Sequence, residues 1–246
     1  MPNHTIEVNK SNVQWSGDLL DRLIAPEFSS LKSIPLPDVP ELPNYYGSFF
    51  RNNVLQSPSQ DKSRPLVFAM LRHLTQAIRD YQSGSKALAE FGVAKSHSND
   101  AVTLYLRALT QFEQAIIHSD LAVGLSYAIE RCLIPSSPKN HFKHGEDTAE
   151  ERLRFLYNGL KHFDRTVGEG KLPDRATPVW MVSEGLKGVF EQKKGGPTTV
   201  KTLLFSELAE ILVQLTSNAK FLAEDVYRLA HERKAAKKGE DAAQTN

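Results

Sequence analysis

Apolar side chains recur at three- and four-residue spacing through long segments of this 246-residue chain, and this period constrains its fold most. An α-helix brings residues three and four positions apart onto one face, so each such segment is predicted to be a helix with one buried side. The predicted helices cover residues 65–81, 100–133, 150–167 and 203–233. Helices that each carry one apolar stripe must bury it against one another. The sequence therefore predicts an all-α fold, namely a four- or five-helix bundle.

The two ends of the chain differ from this helical part in composition. Four prolines, two or three residues apart, lie within residues 35–43, and proline fixes φ and lacks a backbone donor, which predicts an extended segment. We interpret residues 1–63 as an arm packed on the bundle; an arm that binds a partner is the alternative. The helical domain then spans residues 64–234. The small and charged residues of 235–246 predict a disordered tail.

One segment between the last two predicted helices departs from the helical period. Residues 177–188 are rich in β-branched and aromatic side chains and carry glycines at turn positions, which favours a small β-hairpin inserted into the bundle. An irregular flap between helices is the alternative. Trp180 in this segment is interpreted as a packing anchor; a platform for base stacking is the alternative.

Composition limits the compartment and the partners of the protein. The net charge is +1, so no field of the whole molecule attracts nucleic acid, and binding of RNA requires a local patch of cations. The single cysteine, Cys132, excludes an internal disulfide and fits a reducing cytosol. No segment reaches the roughly 20 apolar residues that span a bilayer, and the first residues lack the apolar core of a signal peptide. We expect a soluble, cytoplasmic protein without membrane contacts.

The helix predicted over 150–167 carries an unusual polar row. Thr148 is placed to cap its first turn, and Glu151 three residues later completes the sequence pattern of a capping box. Four polar side chains then follow at steps of four, four and three residues, which brings them onto one side of a helix. They are Arg154, Asn158, His162 and Arg165. Two guanidiniums, an amide and an imidazole in one row can hold a phosphate and transfer a proton; a solvated helix edge is the alternative.

A basic loop, predicted over residues 135–145, leads into the same helix. Lys143 and His144 lie in it, a few residues before the first turn. Free amides and the helix dipole favour phosphate at such an end, so both side chains are predicted to contact a substrate. His141 and His144 are of a type that binds metals, but the loop offers no cysteine or carboxylate to complete a set of ligands. We therefore expect neither a metal ion nor another cofactor.

The run Tyr157-Asn158-Gly159-Leu160-Lys161-His162-Phe163 resembles the signature helix of HEPN domains, which are all-α bundles. The resemblance extends to the helical order of residues 64–234. In that family four to six residues separate an Arg from the motif His, and one of them is polar. His162 matches the family His and Asn158 the polar position, whereas Arg154 stands one position too early for the Arg.

Many HEPN domains are bacterial ribonucleases of toxin–antitoxin and antiphage systems, in which two signature helices face each other across a dimer. The resemblance implies a metal-independent endoribonuclease that forms a homodimer, acts as a toxin or antiphage-defence effector, and has an antitoxin or defence-complex partner. His162, Asn158 and Arg154 are then catalytic, because an imidazole transfers protons near neutral pH and a guanidinium stabilises negative charge.

The residues expected to bind the RNA are Lys161, Arg165, Lys143 and His144. A second interpretation of the same resemblance is a catalytically inactive HEPN-like bundle that binds RNA, a nucleotide or another protein.

Overall fold

The computed structural model describes most of the helical domain and parts of the N-terminal arm. The described residues are 31, 36–43, 45–49, 63–94, 99–133, 137, 142, 144–163, 178–191 and 198–224. They form helices α1 (Tyr45–Phe49), α2 (Ser63–Val93), α3 (Asn99–Leu133), α4 (Ala149–Lys161) and α5 (Phe205–Glu224), and strands β1 (Val179–Val182), β2 (Gly185–Glu191) and β3 (Thr198–Leu204). The architecture is mostly helical with a small sheet, which confirms the predicted helical bundle in its coarse form.

The two longest helices, α2 and α3, form an antiparallel hairpin that provides much of the core. They contain 31 and 35 residues. Phe91 near the end of α2 packs edge-on against Tyr105 near the start of α3, and Tyr81 contacts Phe112 in the same way. The sequence predicts α2 only as far as residue 81, but the helix continues to Val93 because further buried side chains extend its apolar stripe.

A three-stranded antiparallel sheet in the order β1-β2-β3 interrupts the run of helices. The hairpin predicted over 177–188 is present, with Met181 of β1 opposite Leu186 of β2. The third strand corrects both the all-α prediction and the boundary of the last helix. Residues 203 and 204 belong to β3, and α5 begins at Phe205. All of β3 pairs with β2, and this pairing between distant parts of the chain outweighs the local helical period.

Helix α4 packs closely on this sheet. Leu156 of α4 is buried, and a Cβ on Gly188 of β2 would lie 2.4 Å from Leu156 Cδ2, so the glycine allows the strand to approach the helix. In addition, Arg152 of α4 binds Glu207 in the first turn of α5, and the same carboxylate accepts the Leu204 N–H at 3.0 Å. These contacts join α4, β3 and α5.

The described part of the N-terminal arm lies along α2. Val39 is buried, and its carbonyl oxygen accepts a hydrogen bond from Gln82 Nε2 at 2.8 Å. Tyr81 Oη donates to the Pro37 carbonyl oxygen at 2.9 Å. The boundary after residue 63 stays a prediction, and the tail predicted over 235–246 lies outside the described residues. Among the described helices, none combines the length and the hydropathy that crossing a lipid bilayer requires.

Candidate functional site

A cleft of about 680 Å³, hereafter the α4 cleft, opens beside the first three turns of α4. Three parts of the chain form it: the segment before α4, the helix itself, and strand β3. Its lining residues are Phe142, His144, Gly145, Glu151, Arg154, Phe155, Asn158 and Lys201. Two cations, a carboxylate, an amide, an imidazole and two phenyl rings therefore share one concave surface, which is more polar than the usual small-molecule pocket.

The start of α4 is fixed by hydrogen bonds that shape one wall of the cleft. Thr148 Oγ1 accepts the Glu151 N–H at 3.3 Å, as the capping pattern predicts. The Glu151 carboxylate reaches further back than in a capping box and accepts the N–H groups of Gly145 at 2.9 Å and Asp147 at 2.7 Å. Both residues have positive φ, which turns their N–H groups toward the carboxylate. The bond from Gly145, followed by that from Asp147, lowers the pKa of Glu151.

Lys201 of β3 contacts the side-chain carboxylates of Asp147 and Glu151. Its Nζ lies 3.1 Å from Asp147 Oδ1 and 3.4 Å from Glu151 Oε2. It also lies 5.9 Å from the ring of Phe155, within the range of a cation–π contact. Its hydrogen bond lowers the pKa of Asp147. Because two carboxylates already contact Lys201, its positive charge is largely balanced within the site.

Arg154 is partly buried, unlike a side chain on a solvated helix edge, which was the alternative interpretation of its row. Its side chain is 31% exposed, and its Nε lies 2.9 Å from Oδ1 of Asp120, a carboxylate that is only 3% exposed. Its Nη2 lies 3.7 Å from the position that a Cβ on Gly124 would occupy, and Gly124 is one turn after Asp120 in α3. The guanidinium therefore contacts α3 near Asp120 and Gly124, and Arg154 also lines the α4 cleft.

Asp120 is a functional candidate that the sequence analysis missed. Burial raises its pKa to about 6, and the charges of Arg154 and then Lys161 act in the opposite direction. Its second oxygen, Oδ2, is buried and has no hydrogen-bond partner among the described residues. A signal was available, because Asp120 stands four residues after Ile116 and therefore on the apolar face of α3.

The structure brings only some of the predicted site residues together. Arg154, Asn158 and His144 line the α4 cleft, whereas Lys161 and His162 are exposed at the end of α4 and do not line it. The backbone N–H of His162 caps the helix by donating to the Asn158 carbonyl at 3.1 Å. The Lys161 Nζ lies 5.8 Å from the ring of Tyr157. Arg165 and Lys143 lie outside the described residues, so their predicted contacts with a substrate stay predictions.

Metal binding is not indicated by the part of the chain that the structure describes. Within it, no group of three or more His, Cys, Asp and Glu side chains is arranged to hold an ion. His141, the other histidine of the basic loop, lies outside these residues.

Comparisons with known proteins leave the site to be interpreted from its own chemistry. No family model matches the sequence, and neither the curated proteins nor the solved structures contain a significant match to it.

Proposed function

We propose that the protein is a HEPN-like helical bundle that binds single-stranded RNA through the α4 cleft. One observation carries this proposal: Arg154 lines the cleft while the buried Asp120 holds its Nε at 2.9 Å. A guanidinium anchored at one nitrogen keeps its outer N–H donors in a fixed orientation. Such a fork matches the oxygen atoms of a phosphate group.

The other lining residues supply the contacts that an RNA base requires. Phe142 and Phe155 present aromatic rings, and bases of single-stranded nucleic acids stack on such rings with little preference for sequence. Asn158 is exposed beside them, and its amide can both donate to and accept from the edge of a base. Phosphate contact and base stacking are thus available on one surface.

Fluorescence anisotropy with a labelled single-stranded oligoribonucleotide tests this proposal. We expect Arg154→Ala to weaken binding about tenfold, because a charged hydrogen bond to phosphate contributes roughly 1.5–3 kcal/mol. Arg107→Ala is the matched control, since Arg107 is exposed on α3 and lies outside the cleft lining. Equal affinities for the two variants would refute the proposal.

A second candidate function is a metal-independent endoribonuclease that acts as a toxin or antiphage effector. His162 favours it, because this residue is exposed one turn after Asn158 and is accessible to a second copy of the chain. In the HEPN arrangement two such helices complete each site across a homodimer. The proton transfers of RNA cleavage would then use His162, with Asn158 orienting it and Arg154 stabilising the charged phosphate.

Cleavage of a labelled RNA in the presence of EDTA separates the two candidates. For the endoribonuclease we expect His162→Ala to lower the cleavage rate about 100-fold or more while RNA binding is retained. His144→Ala is the control, because it removes an imidazole from the cleft lining and leaves His162 in place. Absence of cleavage by the wild-type protein, or a monomeric mass in light scattering under the assay conditions, would leave the binding function alone.

A further inference from the structure

The three-stranded sheet has one buried edge and one exposed edge. Strand β1 forms the first edge and is buried along its whole length. Strand β3 forms the second edge, and its Val200 is 49% exposed. Among the described strands, none pairs with the outer side of β3. An exposed strand edge is a template on which a further strand can pair.

The backbone groups on this outer side belong to Val200 and Thr202. The Phe205 N–H donates to the Glu184 carbonyl oxygen at 3.0 Å, so every second residue of β3, counted back from Phe205, bonds to β2. The residues between them direct their N–H and C=O groups away from β2. Leu204 is one of these, and its N–H donates to a side chain of α5 at 3.0 Å. For Val200 and Thr202, the described residues provide no such partner.

The charges beside β3 also permit a second lysine-bearing strand. A lysine in an edge strand usually opposes pairing of like strands by repulsion. Here the Lys201 Nζ lies 3.1 Å from Asp147 Oδ1 and 3.4 Å from Glu151 Oε2. Arg152 and Glu207 complete the group, which contains more carboxylates than cations. The group keeps a net negative charge, so a second lysine opposite Lys201 is attracted to it.

We propose that the outer edge of β3 binds β3 of a second copy of the chain, antiparallel, so that the two sheets become one. In this register Val200 and Thr202 of each copy exchange hydrogen bonds with Thr202 and Val200 of the other, and the two-fold axis passes beside Lys201. Because side chains alternate along a strand, both lysines then lie on the α4 face and the β-branched side chains share the opposite face.

This proposal does not depend on the proposed RNA binding. A single strand pair is a small interface, so we expect a reversible dimer with a dissociation constant that is roughly micromolar. Lys201 also lines the α4 cleft, so the pairing places the clefts of the two copies on the same face of the joined sheet.

Sedimentation velocity over a series of protein concentrations tests the interface. Val200→Pro removes the outward N–H and keeps the bonds to β2, because proline is tolerated where an edge strand directs its N–H away from the sheet. We expect this variant to raise the dissociation constant of the dimer at least about tenfold. Val200→Thr is the matched control, since it keeps the N–H and a β-branched side chain, and it should dimerise like the wild type. Circular dichroism checks that both variants are folded.

Two results would overturn the proposal. A wild-type protein that stays monomeric up to about 100 μM, well above a micromolar dissociation constant, does not pair through β3. The edge would then be left to an extended segment of a different protein. A dimer whose dissociation constant is the same for Val200→Pro and the wild type uses another surface.

Amide hydrogen exchange of the wild type, followed by NMR at low and high protein concentration, needs no variant. The amides of Val200 and Thr202 should exchange at least about tenfold more slowly at the higher concentration, because only the dimer supplies their acceptors. The amides of Lys201 and Leu203 bond to β2 in either state, so their exchange should not depend on concentration. If Val200 and Thr202 also show no dependence on concentration, β3 is not the interface.

Discussion

The Nδ1 atoms of His73 and His118 lie 3.0 Å apart and join the two longest helices, α2 and α3. In such a contact one ring donates and the other accepts, so the accepting ring must be neutral. Burial lowers the pKa of His73, and the charges of His118 and Arg72 lower it further. Asp80 on α2 also faces His118 and is buried, with one oxygen held by Gln76 at 2.8 Å. A pair of imidazoles thus makes the hairpin sensitive to acid.

We expect this pair to give the protein a pH-dependent stability. The pKa of His73 in the fold is below its ordinary value of 6.5. Its contribution to stability is therefore complete above about pH 6.5 and is lost as the pH falls through the lowered pKa. In thermal unfolding experiments, the midpoint temperature of the wild type should fall more steeply below about pH 6.5 than that of a His73→Gln/His118→Gln double variant. Parallel curves for the two proteins would show that the pair does not control acid stability.

Gly185 is expected to be the least replaceable of the described sheet glycines. A Cβ at this position would lie 2.1 Å from the Leu203 carbonyl oxygen, and backbone atoms of a paired strand cannot move aside cheaply. Gly185→Ala should lower the free energy of unfolding by about 3 kcal/mol in urea titrations, the upper part of the usual range for overpacking. At Gly47, within α1, nothing lies within 4 Å of the position that a Cβ would occupy. Gly47→Ala is therefore the control and should not lower the free energy of unfolding, because alanine also favours a helix.

Arg152 is expected to stabilise the junction of α4, β3 and α5. It is 16% exposed and binds both Glu207 and the segment at Asp147, with 3.2 Å between its Nη1 and Asp147 Oδ2. Arg152→Gln should lower the free energy of unfolding by about 2 kcal/mol, because charged hydrogen bonds are lost at a largely buried site. Arg152→Lys should recover little of it, since an ammonium group cannot form the same fork.

Exposed Arg107 again provides the comparison, and Arg107→Gln should change the free energy of unfolding by less than about 0.5 kcal/mol. If both substitutions have the same small effect, the junction does not depend on the guanidinium.

Glu151 is expected to connect acid stability to the shape of the cleft wall. Its pKa is lowered by hydrogen bonds from Gly145 and Asp147, so its contribution is present above its ordinary value of 4.5 and is lost as the pH falls through the lowered pKa. The wild type should lose stability below about pH 4.5 more steeply than Glu151→Gln, which is less stable at neutral pH. Hydrogen exchange of the Gly145 and Asp147 amides should be faster in the variant; unchanged protection would contradict this account.

Features that depend on near neighbours in the chain were predictable. The apolar period located the cores of α2, α3, α4 and α5, because a helical face is set by residues three and four positions apart. Thr148 was predictable as a cap for the same reason, since its partner Glu151 is three residues away. Asn158 and Arg154 were identified from one helical row, and both do line the α4 cleft.

Features that depend on distant neighbours were not predictable from the pattern. The start of α5 was misplaced by two residues because β3 exists only through its pairing with β2. Lys201 was overlooked because nothing near it in the chain indicates that β3 runs beside α4. The contact between His73 and His118 was not predictable because the two residues are 45 positions apart in the chain.

The sequence alone thus determined where helices form and which side of each is buried, since both follow from local period, capping and proline. Only the tertiary structure decided which polar side chains meet. In the sequence Arg154 belongs to a row of polar side chains on one side of a helix, but in the fold its Nε also binds Asp120 of another helix. The physical reason is that charge and pKa in a site depend on burial and on partners brought together by packing, which local sequence does not specify.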